Sequence, residues 1–216
     1  MRITDSIPET SLSLRLETLG FPLSGQPLTA LSIYLGRLIK WNKAMNLVGV
    51  ASWEEALETL VVDSFHLAAF LPSLSLPPEP VSWDLGSGAG LPGIPLRILW
   101  QNGKYTLIEA REKRALFMRT VLAGVNLPET TVFQGRAEYF FREAGLADLM
   151  LSRAFMPWRD MLLFIENSLA PDGKIIFLTL SPAPEDMPAP WRVKAESTYT
   201  VDGKARWFWC LAREKP

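Results

Sequence analysis

The sequence predicts an α/β fold built on a mostly parallel sheet, with a helical cap before it and an antiparallel hairpin at its end. Three observations predict this. From residue 81 onward, short apolar runs alternate with stretches of helical periodicity, the pattern of parallel strands joined by crossover helices. The first run, Val81–Leu85, feeds a bend with glycines at 86, 88, 90 and 93. The last two runs, Trp191–Val201 and Ala205–Arg213, meet at Asp202-Gly203, a hairpin signal.

Residues 1–75 are the expected cap and 81–216 the α/β unit, in one compact molecule. Leu12, Leu14, Leu16 and Leu19 suggest a short first helix. From about Leu28 to Met45, Leu31, Leu35, Leu38 and Ile39 recur on one helical face. Ser52 is a suitable N-cap for another helix, running to about Phe70 and carrying Asp63-Ser64 inside it. His66, one turn from Val62 and Phe70, reads as a packing or half-exposed histidine. The proline- and serine-rich stretch Pro72 to Pro80 is a connector. The strands that follow are Val81–Leu85, Lys104–Glu109, Thr130–Gln134, Ala147–Ser152 and Lys174–Leu180. Helices are expected at about Arg111–Val125 and Trp158–Leu169, with a turn at Ala170–Gly173. Four prolines in Ser181–Pro190 exclude a regular helix there.

Bulk properties narrow the function. A chain of 216 residues suits one α/β domain with an extension, and 48% hydrophobic residues can fill a large core. A net charge of -1 gives no global positive field, so a nucleic-acid partner requires local basic patches. The one cysteine, Cys210, lies in an apolar run and reads as a buried thiol. With a single histidine beside it in the inventory, a structural zinc site is not expected. There is no secretory segment at the N-terminus and no apolar span long enough for a bilayer, so a cytoplasmic location is expected.

Ligands of open α/β sheets bind at the carboxyl ends of the strands, near the switch in strand order. Asp84 and Gly86 close the first strand, and Glu109 closes the second. Gln134 to Glu138 follow the third, and Ser152-Arg153-Ala154-Phe155 follow the fourth. Glycines without a Cβ let backbone N–H groups approach a ligand. The acid before the glycines, in the order D-x-G-x-G-x-G, resembles the cofactor loop of S-adenosylmethionine-dependent methyltransferases rather than a dinucleotide fingerprint. At the end of the second strand, Glu109 can accept from both hydroxyls of a ribose. Ala137-Glu138 reads either as a helix start, with Glu138 complementing the dipole, or as an adenine contact.

Longer matches are more selective than the loop. They are Lys40-Trp41-Asn42-Lys43 with Asn46-Leu47, Asp63-Ser64, and Asp84 to Leu96 including the L-P-G-I-P-L extension. Glu109 with Lys113-Arg114, Gly135-Arg136-Ala137-Glu138 and Ser152-Arg153-Ala154-Phe155 complete the set. In this order they resemble the bacterial small-subunit ribosomal RNA guanine-N7 methyltransferases, also called glucose-inhibited division protein B, over about residues 30 to 180. The resemblance implies a Rossmann-like class I S-adenosylmethionine-dependent methyltransferase fold, S-adenosyl-L-methionine as cofactor, and N7 of a guanine in 16S ribosomal RNA as acceptor. It also implies that Gly86, Leu91, Ala137, Glu138 and Arg153 contact the cofactor; Asp84, Gly88 and Glu109 join them as candidates from the loop and strand ends. The chain departs from the family pattern in three places. Thr59-Leu60 stand where an Arg-His pair is usual, Thr179-Leu180 stand where a lysine and a glycine end the fifth strand, and Ser181–Pro190 replaces a helix.

Guanine N7 bears an exposed lone pair and no proton, so its methylation needs positioning but no general base. No residue is therefore assigned as an acid or base. Arg153 and Phe155 are positioning candidates, Arg153 through the cofactor or the base. Phe155 and Trp158 read either as stacking surfaces for a splayed guanine or as core packing. Candidate phosphate contacts are Arg37, Lys40, Lys43, Arg111, Lys113, Arg114, Arg136 and Arg142; the first three equally suit a solvated helix face. The expected partner is 16S ribosomal RNA or a partly assembled small ribosomal subunit, with no membrane and no metal, and the protein acting as a monomer. Two alternatives share the cofactor loop: a methyltransferase acting on a small molecule or protein, and a non-catalytic module that binds the cofactor.

Overall fold

In a computed structural model, which describes residues 5–214, seven strands form one sheet. Positions 1–4 of the expected cap and 215–216 of the α/β unit lie outside the described residues. The parallel strands are β1 (Val81–Leu85), β2 (Lys104–Glu109), β3 (Thr130–Gln134), β4 (Ala147–Ser152) and β5 (Leu169–Thr179). The hairpin of β6 (Trp191–Val201) and β7 (Lys204–Arg213) adds antiparallel through β7, giving the order β3-β2-β1-β4-β5-β7-β6. The chain steps outward from β1 to β3 and then returns to β4, so the strand order reverses between β1 and β4. Leu85 pairs with Ile108 on one side and Ser152 on the other, which brings the strand ends level there.

Alternation along the strands divides the core in two. Leu107, Leu149, Leu151 and Ile176 face α5 (Gly93–Leu99), α6 (Glu112–Leu122) and the N-terminal helices. Trp83, Leu85, Met150 and Phe177 face α7 (Ala137–Phe141) and α8 (Trp158–Ile165). The N-terminal segment thus covers one sheet face and shares its core. It comprises α1 (Glu9–Thr18), α2 (Gly25–Met45), α3 (Trp53–Ala56) and α4 (Val62–Phe70).

Several boundaries differ from the sequence reading for local reasons. Helix α2 begins at Gly25, because Pro27 sits in the first turn, where a missing N–H costs nothing. The segment from Trp53 to Phe70 is helical throughout, but a π-helical turn, Leu57–Val61, separates α3 from α4. Ser52 caps it as expected: its Oγ accepts from the Glu55 N–H at 3.2 Å, and the Glu55 carboxylate accepts from the Ala51 N–H. Helix α8 stops at Ile165, and Ala170–Gly173, expected as a turn, belongs to β5. A register shift between Ala147 and Leu149 absorbs that irregular, proline-containing start. Ser181–Pro190 holds no helix, and Asp202 and Gly203 both take positive φ in the hairpin turn. Among the described residues no helix is long and apolar enough to cross a membrane, and no group of His, Cys, Asp or Glu is arranged to hold a metal ion.

Candidate active site

The reversal of strand order leaves a cleft of about 420 Å³ over the ends of β1 to β4. Gly86 forms its floor, Glu109 to Arg111 and Arg114 one wall, Gly135 to Glu138 another, and Ala154-Phe155 the third. Gly86 has φ +70, and its N–H donates to the Ile108 carbonyl at 2.9 Å, which ties the bend to β2. A Cβ placed on Gly86 would lie 2.5 Å from the Phe155 ring, so the bend and the loop after β4 touch only because this residue has no side chain. Glu109, at the end of β2 and only 6% exposed, is held from both sides. Its Oε2 accepts from the Gly88 N–H at 2.9 Å and its Oε1 from the Arg111 N–H at 2.8 Å. Each oxygen keeps capacity for one more hydrogen bond, so the carboxylate is fixed but not saturated.

Asp84 lies beneath this cleft rather than in its wall. The strand alternation turns it to the N-terminal side of the sheet, where it is buried against Gly93. Its Oδ2 has no hydrogen-bond partner among the described residues. Burial pushes its carboxyl up to about 7, with the Arg153 guanidinium opposing that rise. The bend itself is braced by the N-terminal helices. Tyr34 of α2 donates to the Ala89 carbonyl at 3.0 Å, and Ser64 of α4 donates to the Pro92 carbonyl at 3.0 Å.

A second cleft, of about 240 Å³, opens on the far side of the loop after β4, and Ala154 lines both. Among the polar groups that line this second cleft, Asp63, which is 4% exposed, gathers the others. Its Oδ1 accepts from the Tyr199 hydroxyl at 2.9 Å and from Arg206 Nη1 at 2.5 Å; its Oδ2 accepts from Arg153 Nη1 at 3.4 Å. Arg206 also donates to the Thr59 carbonyl at 2.8 Å. His66 stacks on Tyr199 at 4.2 Å between ring centroids, and burial lowers its pKa while Asp63 opposes the shift. It is a packing partner, as its sequence position suggested.

Against this geometry stand the comparisons with known proteins. The profile of the family described as rRNA small subunit methyltransferase G matches residues 28–188. A protein of Nitratidesulfovibrio vulgaris named ribosomal RNA small subunit methyltransferase G is 56% identical over 192 residues, covering 89% of this chain and 88% of that one. Its namesake from Lawsonia intracellularis is 46% identical over 99% of both chains. The chain belongs to the rRNA small subunit methyltransferase G family. Solved structures agree on the fold. A mutant of MtNAS in complex with S-adenosylmethionine superposes with a TM-score of 0.60 at 16% identity, covering 93% of this chain and 83% of that one. The Escherichia coli protein described as putative methyltransferase yhhF gives 0.53 at 18% identity, covering 69% of this chain and 83% of that one.

For this member of the methyltransferase G family, the structure sorts the expected site residues. Gly86, Glu109, Ala137 and Glu138 line the first cleft together with Phe155. Gly88 is engaged with Glu109 behind it, and Leu91 is buried in the core under the N-terminal helices. Arg153 faces the second cleft, between Asp63 and the buried Asp84, and not the first. The Trp158 ring meets Trp209 in a T-shaped contact, and the Arg159 guanidinium lies over one of its faces.

Among the basic candidates, Arg111, Arg114 and Arg136 meet at the wall of the first cleft. Lys43 and Lys113 are exposed; Lys40 is exposed and paired with Asp5, and Arg142 lies over the Tyr139 ring. Arg37 is half-buried, and its guanidinium donates to the Thr120 and Val121 carbonyls at the end of α6. The sequence reading missed Tyr34, Tyr199 and Arg206. Tyr199 and Arg206 are cross-strand partners, a register that the two-residue turn at Asp202-Gly203 already dictates. The departure at Thr59-Leu60 falls in the second cleft, where Arg206 donates to the Thr59 carbonyl.

Proposed function

We propose that this protein transfers the methyl group of S-adenosyl-L-methionine to N7 of a guanine in 16S ribosomal RNA, as part of the small ribosomal subunit. The observation that carries this is Glu109: a carboxylate held by Gly88 and Arg111, at the edge of a cleft floored by the glycine bend. Family membership supports the ribosomal substrate.

The residues fit the cofactor. Two oxygens at one strand end suit a ribose diol, and Gly86 keeps the floor of the cleft free of a side chain. Ala137 and Glu138, in another wall of the cleft, would hold the adenine ring. When bound, the cofactor supplies a sulfonium methyl carbon that accepts the N7 lone pair while the C–S pair stays on sulfur, moving the positive charge to the purine. No proton leaves N7, so the chain needs no general base. Its residues hold the two partners in line, and Phe155 closes the floor at Gly86. Arg111, Arg114 and Arg136 draw the RNA backbone to the cleft wall. Nucleoside mapping of 16S ribosomal RNA by mass spectrometry, with and without this gene, tests the assignment. One N7-methylguanosine disappears in the deletion and returns with the gene; an unchanged nucleoside set refutes the ribosomal acceptor.

A further inference from the structure

We propose that the second cleft is the acceptor site: it takes a single guanine base swung out of the RNA, and Arg206 of the C-terminal hairpin identifies that base. The inference rests on the function proposed above and adds to it a place for the substrate.

Position comes first. Ala154 lines both clefts, so the two adjoin at the loop after β4. That is the arrangement an in-line transfer between a cofactor and a base requires. Size and shape come next. A cleft of about 240 Å³ with Leu60, Leu178, Leu180 and the Tyr199 ring in its walls suits one flat ring system and not a stretch of backbone. Leu180 is 76% exposed beside it, a large apolar side chain with little covering it.

Chemistry decides which base. The charged groups of the cleft are Asp63, Arg153 and Arg206, and both oxygens of Asp63 already accept from the protein. The guanidinium groups keep N–H donors beyond those given to Asp63 and Thr59, and the Arg206 Nε–H is buried without a partner among the described residues. The cleft therefore offers mainly donors. On the major-groove edge guanine presents O6 as an acceptor beside N7, whereas adenine presents an amino donor at that place. Donors that engage O6 leave the N7 lone pair free for methyl transfer and leave the adenine amino group unpaired. Tyr199 and Asp63 act as positioning residues, fixing the angle at which Arg206 enters the cleft.

The test uses the full chain, S-adenosylmethionine and small ribosomal subunits purified from cells lacking the gene. Arg206→Lys keeps the charge and removes the fork; Leu180→Trp narrows the cleft from an exposed position where no packing is lost. Calorimetry reads cofactor affinity, and N7-methylguanosine formation reads kcat and KM for the subunits. Both variants are expected to bind the cofactor within about twofold of wild type and to lose roughly tenfold or more in kcat/KM, the scale of one specific base contact. Arg206→Lys is further expected to lose it in kcat. Variants that methylate subunits like the wild type overturn the acceptor site. So does a loss of cofactor affinity that matches the loss of turnover, since the cleft then serves the cofactor or the fold. If the wild type itself forms no N7-methylguanosine on subunits, the proposed function fails and the acceptor site fails with it; loss confined to the variants separates the two.

Discussion

Two carboxylates near the glycine bend are held in opposite ways, and they should respond differently to neutralisation. Glu109 receives two backbone N–H groups. Glu109→Gln turns an amide N–H₂ toward one of those donors and removes one acceptor from the cleft. Cofactor affinity measured by calorimetry is expected to fall about tenfold or more, roughly 1.4 kcal/mol, the value of a charged hydrogen bond. Asp84 is instead buried with an unpartnered oxygen among the described residues. Its carboxyl stands at about 7 in the fold against 3.8 when unfolded. A carboxyl raised by folding favours the folded state most at low pH. That contribution is lost as pH rises from about 4 to about 7 and is constant above, a total on the order of 4 kcal/mol. Cofactor-free Asp84→Asn should therefore exceed the wild type in urea midpoint at pH 8, with a smaller advantage at pH 5; an equal difference at both values contradicts the buried-acid account. Gly86→Val meets both a positive φ and the Phe155 ring, so it should weaken the fold as well as the cofactor site.

At the scale of elements, the connection from α5 to β2 is organised by one side chain. Arg97 is fully buried and donates to the carbonyls of Trp100, Gln101, Asn102, Gly103 and Pro128 and to Thr130 Oγ1. Arg97→Met fills the space and leaves those carbonyls unpaired, at a cost of several kcal/mol by urea denaturation. Such a hub was not legible in the sequence, where Arg97 is a single charge within the apolar run Ile94–Leu99. Periodicity and turn chemistry did reveal the strands, the hairpin and the order of α2, α6 and α8, because each obeys a local rule. The boundaries that escaped were set by packing. The π turn at Leu57–Val61 precedes the buried pair Asp63-Ser64, and no residue pattern announces it. The site divides in the same way. Glu109 and Gly86 were legible because strand ends and glycines carry their own signal. The contact of Arg37 with the end of α6 was not legible, because a helix face open to solvent and one packed on a neighbour look alike until the helices are packed.

Over the whole molecule, the N-terminal helices cover one sheet face and also brace the glycine bend through Tyr34 and Ser64. The cap therefore helps to hold the bend that floors the first cleft. With a net charge of -1, RNA affinity must come from patches. Arg136 is one of three arginines at the first cleft. Arg136→Ala should lower the slope of log K against log salt for subunit binding by about one, the amount expected for one phosphate contact. An unchanged slope removes Arg136 from the RNA surface.

Every role proposed for this chain depends on the first cleft being the seat of the cofactor. A crystal structure of this chain with S-adenosylhomocysteine tests it most directly. The ribose hydroxyls are expected on the Glu109 carboxylate, with the sulfur directed toward Ala154. Density for the ligand elsewhere, or a Glu109 carboxylate that does not touch the ribose, contradicts it.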